Sequence, residues 1–241
     1  MKPLSVKTST GLIRRIFLLV GTVVSAAFSA LTPANAVLPG AVPLPDGMTV
    51  FPGLVAPGTN PGILLADLVV PGNYTTTSGT NSFTLQTAVY RDTSGTLDFY
   101  YQLSNSASSA TALARLSLTN FGTSMTSVGF RVDGASLTGT SFANGTIAPV
   151  SADRSTDGTV VGFNFNVPAS AEIMPGQTSN VLVISTDATS YTNGNFSVID
   201  GGAATGPAYQ PVSVPEPSSV ALFGIPVLLL LCRNRARARR C

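Results

Sequence analysis

The stretch SFTLQTAVYRDTSGTLDFYYQLSN, residues 82–105, constrains the fold of this chain more than any other part of it. Its first half places Leu85, Thr87 and Val89 on one face. In its second half, apolar and mostly polar residues alternate: Leu97, Phe99, Tyr101 and Leu103 against Asp98, Tyr100, Gln102 and Ser104. A period of two is typical of a β-strand with one buried face. The turn residues 92–95 separate the halves, so the stretch predicts an antiparallel hairpin with Tyr100 on its outer face.

Shorter strand patterns occupy much of the remaining body. They are LARLSLTNF (113–121), SVGFRVDG (127–134), ANGTIAPV (143–150), TVVGFNFNVP (159–168), SNVLVISTD (179–187) and GNFSVIDGG (194–202). Turns are expected at Asn144–Gly145 and Asn193–Gly194, and one buried face is expected for Val161, Phe163, Phe165 and Val167. No stretch of the body keeps a helical period for more than two turns. These patterns predict an all-β fold, an antiparallel β-sandwich over residues 63–212.

Charge is distributed unevenly along the chain. Residues 37–213 contain four arginines and ten acidic residues, so their net charge is 4 − 10 = −6, although the whole chain carries +2. A phosphate backbone would be repelled by such a body, which argues against nucleic-acid binding. The chain has no histidine, and its two cysteines, Cys232 and Cys241, lie at the C-terminal end. This composition excludes catalytic sites built on histidine and an internal disulfide in the body.

Residues 1–36 have the layout of a signal peptide. Four basic residues come first, an apolar stretch follows, and Ala34-Asn35-Ala36 forms an A-x-A cleavage pattern. We therefore expect cleavage after Ala36, with a retained N-terminal membrane helix as the alternative. The pair Arg14–Arg15 also resembles a twin-arginine signal, so the export route stays open between that pathway and general secretion. The following residues 37–62 are rich in proline and glycine and predict an extended lead-in.

The C-terminal residues 213–241 combine three features in order. The triplet Pro-Glu-Pro follows Val214, an uncharged run extends from Val220 to Cys232, and five arginines come last: Arg233, Arg235, Arg237, Arg239 and Arg240. The run is short for a transmembrane helix, but arginines can extend it to the lipid headgroups. The basic residues predict a cytoplasmic C-terminus, with the body exported. A permanent C-terminal anchor would account for the helix and the arginines, but not for the prolines.

Val214, Pro215, Glu216 and Pro217, with the apolar run and the arginine cluster, resemble the PEP-CTERM sorting signal of Gram-negative bacteria. The resemblance implies recognition and cleavage by an exosortase, after a transient stay in the inner membrane. It also implies release to the cell surface, the envelope or an extracellular polysaccharide matrix. Residues 89–105 and 173–202 resemble uncharacterised domains that accompany this signal, a likeness that implies no activity. The two prolines would keep the cleavage segment extended.

Few residues of the body suggest chemistry. The pairs Asp92/Asp98 and Asp153/Asp157 are the candidates for a glycoside-hydrolase dyad. The stretch 153–158 is also the candidate for calcium with backbone oxygens, although it lacks the alternating ligands of an EF-hand loop. Asp92 and Asp157 sit directly beside residues typical of turns, and a structural role is the favoured interpretation for all four aspartates. Tyr100, on the predicted outer face, is the candidate for stacking on a sugar, although packing against a neighbouring strand is the favoured interpretation. We therefore expect a non-enzymatic envelope or matrix protein without cofactor or metal. The alternatives are a carbohydrate-binding module and, less favoured, a hydrolase that uses aspartates.

Overall fold

The computed structural model describes residues 38–212. They form thirteen β-strands: β1 Val42–Pro43, β2 Thr49–Val50, β3 Gly53–Leu54, β4 Ile63–Thr76, β5 Gly79–Arg91, β6 Leu97–Asn105, β7 Arg115–Leu118, β8 Thr126–Arg131, β9 Ser151–Arg154, β10 Val161–Asn164, β11 Val181–Thr186, β12 Tyr191–Ile199 and β13 Ala203–Pro211. Within these residues, the only helical segments are the two short 3-10 turns Gly134–Ser136 and Ala169–Ala171. No helix between residues 38 and 212 is long and apolar enough to cross a membrane. The predicted signal peptide and C-terminal helix lie outside the described residues.

The strands form two sheets, as the sequence predicts. A seven-stranded sheet has the order β1-β8-β11-β6-β5-β4, with β3 also pairing with β8, and a six-stranded sheet has the order β13-β12-β7-β10-β9-β2. All strand pairings are antiparallel except the two-residue pairing of β3 with β8. The predicted hairpin of residues 82–105 is confirmed as β5 and β6, with Phe83 opposite Asn105 and Arg91 opposite Leu97. At its turn Gly95 has φ 91°, a conformation that glycine adopts without strain.

The main core lies between the two sheets. It contains the inner faces of β5 and β6, including Leu85, Val89, Phe99 and Tyr101, all 0% exposed. The rings of Phe99 and Phe121 meet edge to face with centroids 5.8 Å apart. This burial of aliphatic and aromatic side chains stabilises the body without a disulfide, since its residues include no cysteine.

A second apolar cluster covers part of the outer face of the larger sheet. Tyr90, Tyr100, Val181 and Val183 point away from the main core and are buried beneath other parts of the chain. The cover consists of Leu38 and Val55 from the N-terminal lead-in and of Leu137 and Phe142 from the connection between β8 and β9. The lead-in is therefore part of the packed fold, because β1 and β3 pair with β8 and β2 pairs with β9 of the other sheet.

Several local predictions were wrong. Asn193 and Gly194 lie inside β12, paired with Tyr209 and Ala208, and form no turn. The stretch 143–150 forms no named strand and contributes only an isolated bridge from Ile147 to Ser179. Val167 is 73% exposed, because β10 ends at Asn164. In each case the local residue pattern resembles a turn or a strand, but pairing with distant strands sets the element boundaries.

Both ends of the described chain lie at the same end of the sandwich. The backbone N–H of Leu38 donates to the Ser185 hydroxyl (3.4 Å), and the N–H of Val212 donates to the Ser190 carbonyl (3.0 Å). Ser185 and Ser190 belong to β11 and to the connection that follows it. We call this the terminal end of the body. The β4–β5 turn at residues 77–78 and the β12–β13 turn at residues 200–202 lie at the opposite end, because they close strands that start at the terminal end.

Candidate functional site

The carboxylates of the predicted dyads are held in local structure. Asp92 accepts hydrogen bonds from the backbone N–H and hydroxyl groups of Ser94 and Thr96, at 2.7–2.9 Å. Burial alone would raise the pKa of Asp92, but these donors outweigh burial and lower it. Asp92 is thus the organising side chain of the β5–β6 turn, as the favoured interpretation expected.

Asp153 and Asp157 are also engaged separately. Both carboxylate oxygens of Asp153 pair with the guanidinium of Arg115, and Asn164 donates to Oδ1 at 2.7 Å. Asp157 accepts from the hydroxyls of Ser155 and Thr159 in the β9–β10 turn, and the Ser155 hydroxyl is the largest cause of its lowered pKa, about 2. These two aspartates serve different networks and share no partner.

Asp98 differs from the other three carboxylates. Its side chain lies on the outer face of β6 and is 1% exposed, and neither carboxylate oxygen has a hydrogen-bond donor in suitable geometry among the described residues. Burial raises the pKa of Asp98 to about 7, although the Ser185 hydroxyl across the β6–β11 ladder partly opposes this effect. A buried carboxyl of this kind cannot reach a polysaccharide in the described arrangement.

Tyr100, the candidate for sugar stacking, is not available to a ligand in the described arrangement. Tyr100 does lie on the face opposite Phe99, but it is 0% exposed, because the lead-in and the β8–β9 connection cover it. Its ring meets that of Tyr90 edge to face at 4.9 Å. The other tyrosines are also buried or half-buried. The rings of Tyr191 and Tyr209 meet each other edge to face, and both side chains pack against the main core. Among the described residues, only Tyr191 and Tyr209 are tyrosines that keep part of their surface exposed.

The same outer face becomes open and polar beyond Tyr100. Along β5 the outward residues change from Tyr90 and Ala88 to Gln86, Thr84 and Ser82, and along β6 from Tyr100 to Gln102 and Ser104. Gln102 marks the boundary, because its amide donates to the Ala143 carbonyl and accepts from the Ala143 N–H, both at 2.8 Å. The β8–β9 connection thus ends its cover at Gln102 and leaves the rest of the face uncovered.

This open region forms a groove with two joined parts. One part, of about 300 Å³, is lined by Val69, Thr84, Gln86, Gln102, Ser104, Ser141 and Ala143. The other, of about 520 Å³, is lined by Pro71, Gly72, Asn73, Ser82, Phe83, Thr84, Ser104, Asn105 and Ser106. They meet at Thr84 and Ser104, which are directly opposite in the β5–β6 ladder. We call this surface the polar groove.

The polar groove carries no ionised side chain among its lining residues. Its hydroxyl and amide groups can both donate and accept hydrogen bonds, which suits a neutral polyhydroxylated ligand. Sequence reasoning missed these residues, although the run of uncharged polar residues on the outward positions of β5 and β6 was a visible signal. Among residues 38–212, no group of three or more His, Cys, Asp or Glu side chains is arranged to hold a metal ion.

The sorting motif Val214–Pro217, the arginine cluster and the cleavage residues Ala34 and Ala36 lie outside the described residues. No protein-family model, curated protein or solved structure matches the chain.

Proposed function

We propose that this chain is an exported, non-enzymatic envelope or matrix protein, held at the inner membrane by its C-terminal tail until an exosortase cleaves it. The observation that carries the proposal is the order of features in residues 213–241: the Pro-Glu-Pro motif, a short apolar run and terminal arginines. A signal peptide layout at the other end supports export. Release would place the body at the cell surface or in the extracellular matrix of a Gram-negative bacterium.

The arrangement of the body supports this topology. Leu38 and Val212 are both bound to residues 185–190, so the two membrane-directed segments would start from the same end of the sandwich. The opposite end, nearer to the polar groove, would then point away from the membrane.

Intact mass of the protein from each cell fraction of the native host tests the sorting proposal. A species that starts at Val37, ends near Pro217 and lies outside the inner membrane is the expected result. The double substitution Pro215→Ala/Pro217→Ala should leave the full tail on a membrane-bound species. Pro207→Ala, at an exposed proline of β13, is the matched control and should be processed normally. A wild-type protein that keeps its arginine tail in the membrane would instead support a permanent anchor.

The polar groove favours a second candidate function, binding of a neutral extracellular polysaccharide. The groove has no charged lining residue, consists of two joined cavities, and lies away from the terminal end. Thr84→Glu would place a carboxylate at the centre of the groove. A neutral ligand would then have to displace the water that hydrates this carboxylate, which costs free energy. Thr80→Glu places the same charge on the outward side of the same strand, at an exposed position outside the groove.

Co-sedimentation of the processed protein with the host's own polysaccharide measures this binding. We expect Thr84→Glu to weaken retention at least about tenfold and Thr80→Glu to leave it unchanged, since about 1.4 kcal/mol corresponds to tenfold. Equal retention of both variants and the wild-type protein would contradict binding through the groove.

A further inference from the structure

The polar groove contains two glutamine side chains, and their amides are used differently. The amide nitrogen of Gln102 donates to the carbonyls of Ala143 and Ser179, at 2.8 and 2.9 Å, and its oxygen accepts from the Ala143 N–H at 2.8 Å. The Gln102 amide is therefore occupied within the fold. Gln86 lies directly opposite Gln102 in the β5–β6 ladder, and only the nitrogen of its amide is occupied.

Asp67 fixes the direction in which the Gln86 amide is turned. The Gln86 nitrogen donates to a carboxylate oxygen of Asp67 at 3.0 Å and to the Ser141 hydroxyl at 3.3 Å. A carboxylate can only accept hydrogen bonds, so the group that faces Asp67 must be the NH2 group rather than the amide oxygen. Asp67 is well placed for this contact, because it lies on β4 two residues before Val69, which is paired with Gln86.

The amide oxygen of Gln86 is left as an acceptor that faces the groove. Among the described residues no group donates to this oxygen, and unlike the unpartnered oxygens of Asp98 it is open to solvent. Gln86 lines the groove and is only 7% exposed, so its oxygen meets solvent there. Because the amide nitrogen is held by two partners, the direction of the oxygen is set before a ligand arrives.

Ser104 supplies the complementary group. Its oxygen accepts a hydrogen bond from the Thr178 hydroxyl at 3.0 Å, and no described residue accepts the hydrogen of Ser104. The Ser104 hydroxyl can therefore donate to a ligand. Gln86 and Ser104 are diagonal neighbours across the β5–β6 ladder, about 7–8 Å apart. A ligand that crosses the centre of the groove thus meets an acceptor at one point and a donor at the other.

We propose that Gln86 is the specificity-determining residue of the polar groove and that Asp67 is the positioning residue that holds it. The proposal rests on the polysaccharide binding proposed for the groove. The fixed oxygen of Gln86 requires a hydrogen-bond donor, so the groove binds a neutral polysaccharide through a free hydroxyl group. A polysaccharide whose hydroxyls are blocked by methyl or acyl groups would cover this oxygen without donating to it, and an acceptor left in that state weakens binding.

Two substitutions separate the roles of the acceptor and of the residue that holds it. Gln86→Leu removes the acceptor and keeps a side chain that can pack in the same place. Asp67→Asn keeps the size of the side chain but removes the direction that it imposes, because an asparagine can donate as well as accept. The Gln86 amide can then turn its NH2 group toward the groove, which replaces the acceptor by a donor.

Co-sedimentation of the processed protein with the host's own polysaccharide tests both roles. We expect Gln86→Leu to weaken retention about tenfold, Asp67→Asn to weaken it at least about threefold, and the double variant to bind no more weakly than Gln86→Leu alone. Asp157→Asn removes the same charge at an exposed turn of the smaller sheet, and this control should bind like the wild-type protein. Urea unfolding first establishes that each variant is folded. Additive losses in the double variant would overturn the positioning role of Asp67.

A modified ligand tests the need for a donor on the wild-type protein itself. The same polysaccharide is partly O-methylated, which replaces hydroxyl hydrogens by methyl groups. We expect methylation to weaken retention of the wild-type protein about tenfold and that of Gln86→Leu clearly less. Equal weakening in the two proteins would overturn the assignment of Gln86, as would wild-type retention that methylation does not change.

Thr84→Glu separates this proposal from the function on which it rests. Retention that is weakened by Thr84→Glu but not by Gln86→Leu or Asp67→Asn would mean that the groove binds the polysaccharide without selection by Gln86. Retention that none of the three substitutions changes would mean that the groove is not the binding surface, and both proposals would fail.

Discussion

Arg131 and Asp133 form a two-point ion pair at the end of β8, with Nε and Nη2 of the arginine each 2.9 Å from one carboxylate oxygen. The arginine side chain is 1% exposed, and its remaining terminal nitrogen donates to the Thr59 carbonyl at 2.8 Å. Asp133 also accepts a hydrogen bond from the N–H of Gly58, at 2.8 Å. Through these two contacts the ion pair links the lead-in to the larger sheet.

The Arg131–Asp133 pair should make the stability of the body depend on pH in the acid range. Hydrogen bonds from Arg131 hold the pKa of Asp133 well below its ordinary value. A lowered folded-state pKa gives stability that is fully present above the unfolded-state pKa, about 3.9, and is lost as the pH falls toward the folded-state pKa. We expect Asp133→Asn to cost about 3 kcal/mol at pH 7 and clearly less at pH 3. Urea unfolding at both pH values measures this, and an unchanged difference would contradict it.

Arg154 should be far more important for stability than its ionic partner. Its buried guanidinium donates to the carbonyls of Gly158, Phe121 and Ser124 at 2.8–2.9 Å. Arg154→Met removes these donors and should cost about 3–5 kcal/mol. Asp46 pairs with Arg154 at 2.9 Å, but its side chain is 53% exposed, so Asp46→Asn should cost at most about 1 kcal/mol. Chemical denaturation of both variants makes the comparison, and similar losses would show that the ion pair dominates.

Gly145 should tolerate no side chain, because the backbone of residue 179 lies against it. A Cβ atom on Gly145 would come within 1.8 Å of the Ser179 carbonyl oxygen. Gly145→Ala would push the β8–β9 connection away from the sheet and should cost about 2–4 kcal/mol. Gly95→Ala is the control, since its Cβ would meet no atom within 4 Å and only the positive φ is penalised, by about 1–2 kcal/mol. Equal thermal shifts for the two variants would contradict the close approach at Gly145.

Tyr100 should act as a core residue. Its ring is fully buried against Tyr90, and its hydroxyl has no hydrogen-bond partner in suitable geometry among the described residues. Tyr100→Phe keeps the ring and should change stability by less than about 1 kcal/mol, whereas Tyr100→Ala leaves a cavity and should cost about 3–5 kcal/mol. Unfolding measurements test the stability. Polysaccharide retention lost in Tyr100→Phe, with the fold intact, would reinstate Tyr100 as a ligand contact.

The β5–β6 hairpin could be predicted from the local residue pattern alone. The alternation from Leu97 to Leu103 and the turn at residues 92–95 predict both strands and their buried face, and the structure confirms them. The period is set by neighbouring residues alone, since successive side chains of a strand point to opposite faces. The same reasoning failed at Asn193–Gly194, where a favourable turn pair is held in a long strand by its pairing with β13.

The burial of the outer face of β6 could not be predicted from the local residue pattern. Alternation correctly places Asp98, Tyr100, Gln102 and Ser104 on one side of β6, but it does not state what lies over them. Two distant segments, the lead-in and the β8–β9 connection, bury Tyr100, and Ser104 is left to line the polar groove. Composition and spacing within the chain are enough to predict the sheets, the mildly acidic body and the export features at its ends. Which carboxyl is buried and which surface stays open depend on contacts between residues far apart in sequence, and those contacts form when the chain folds.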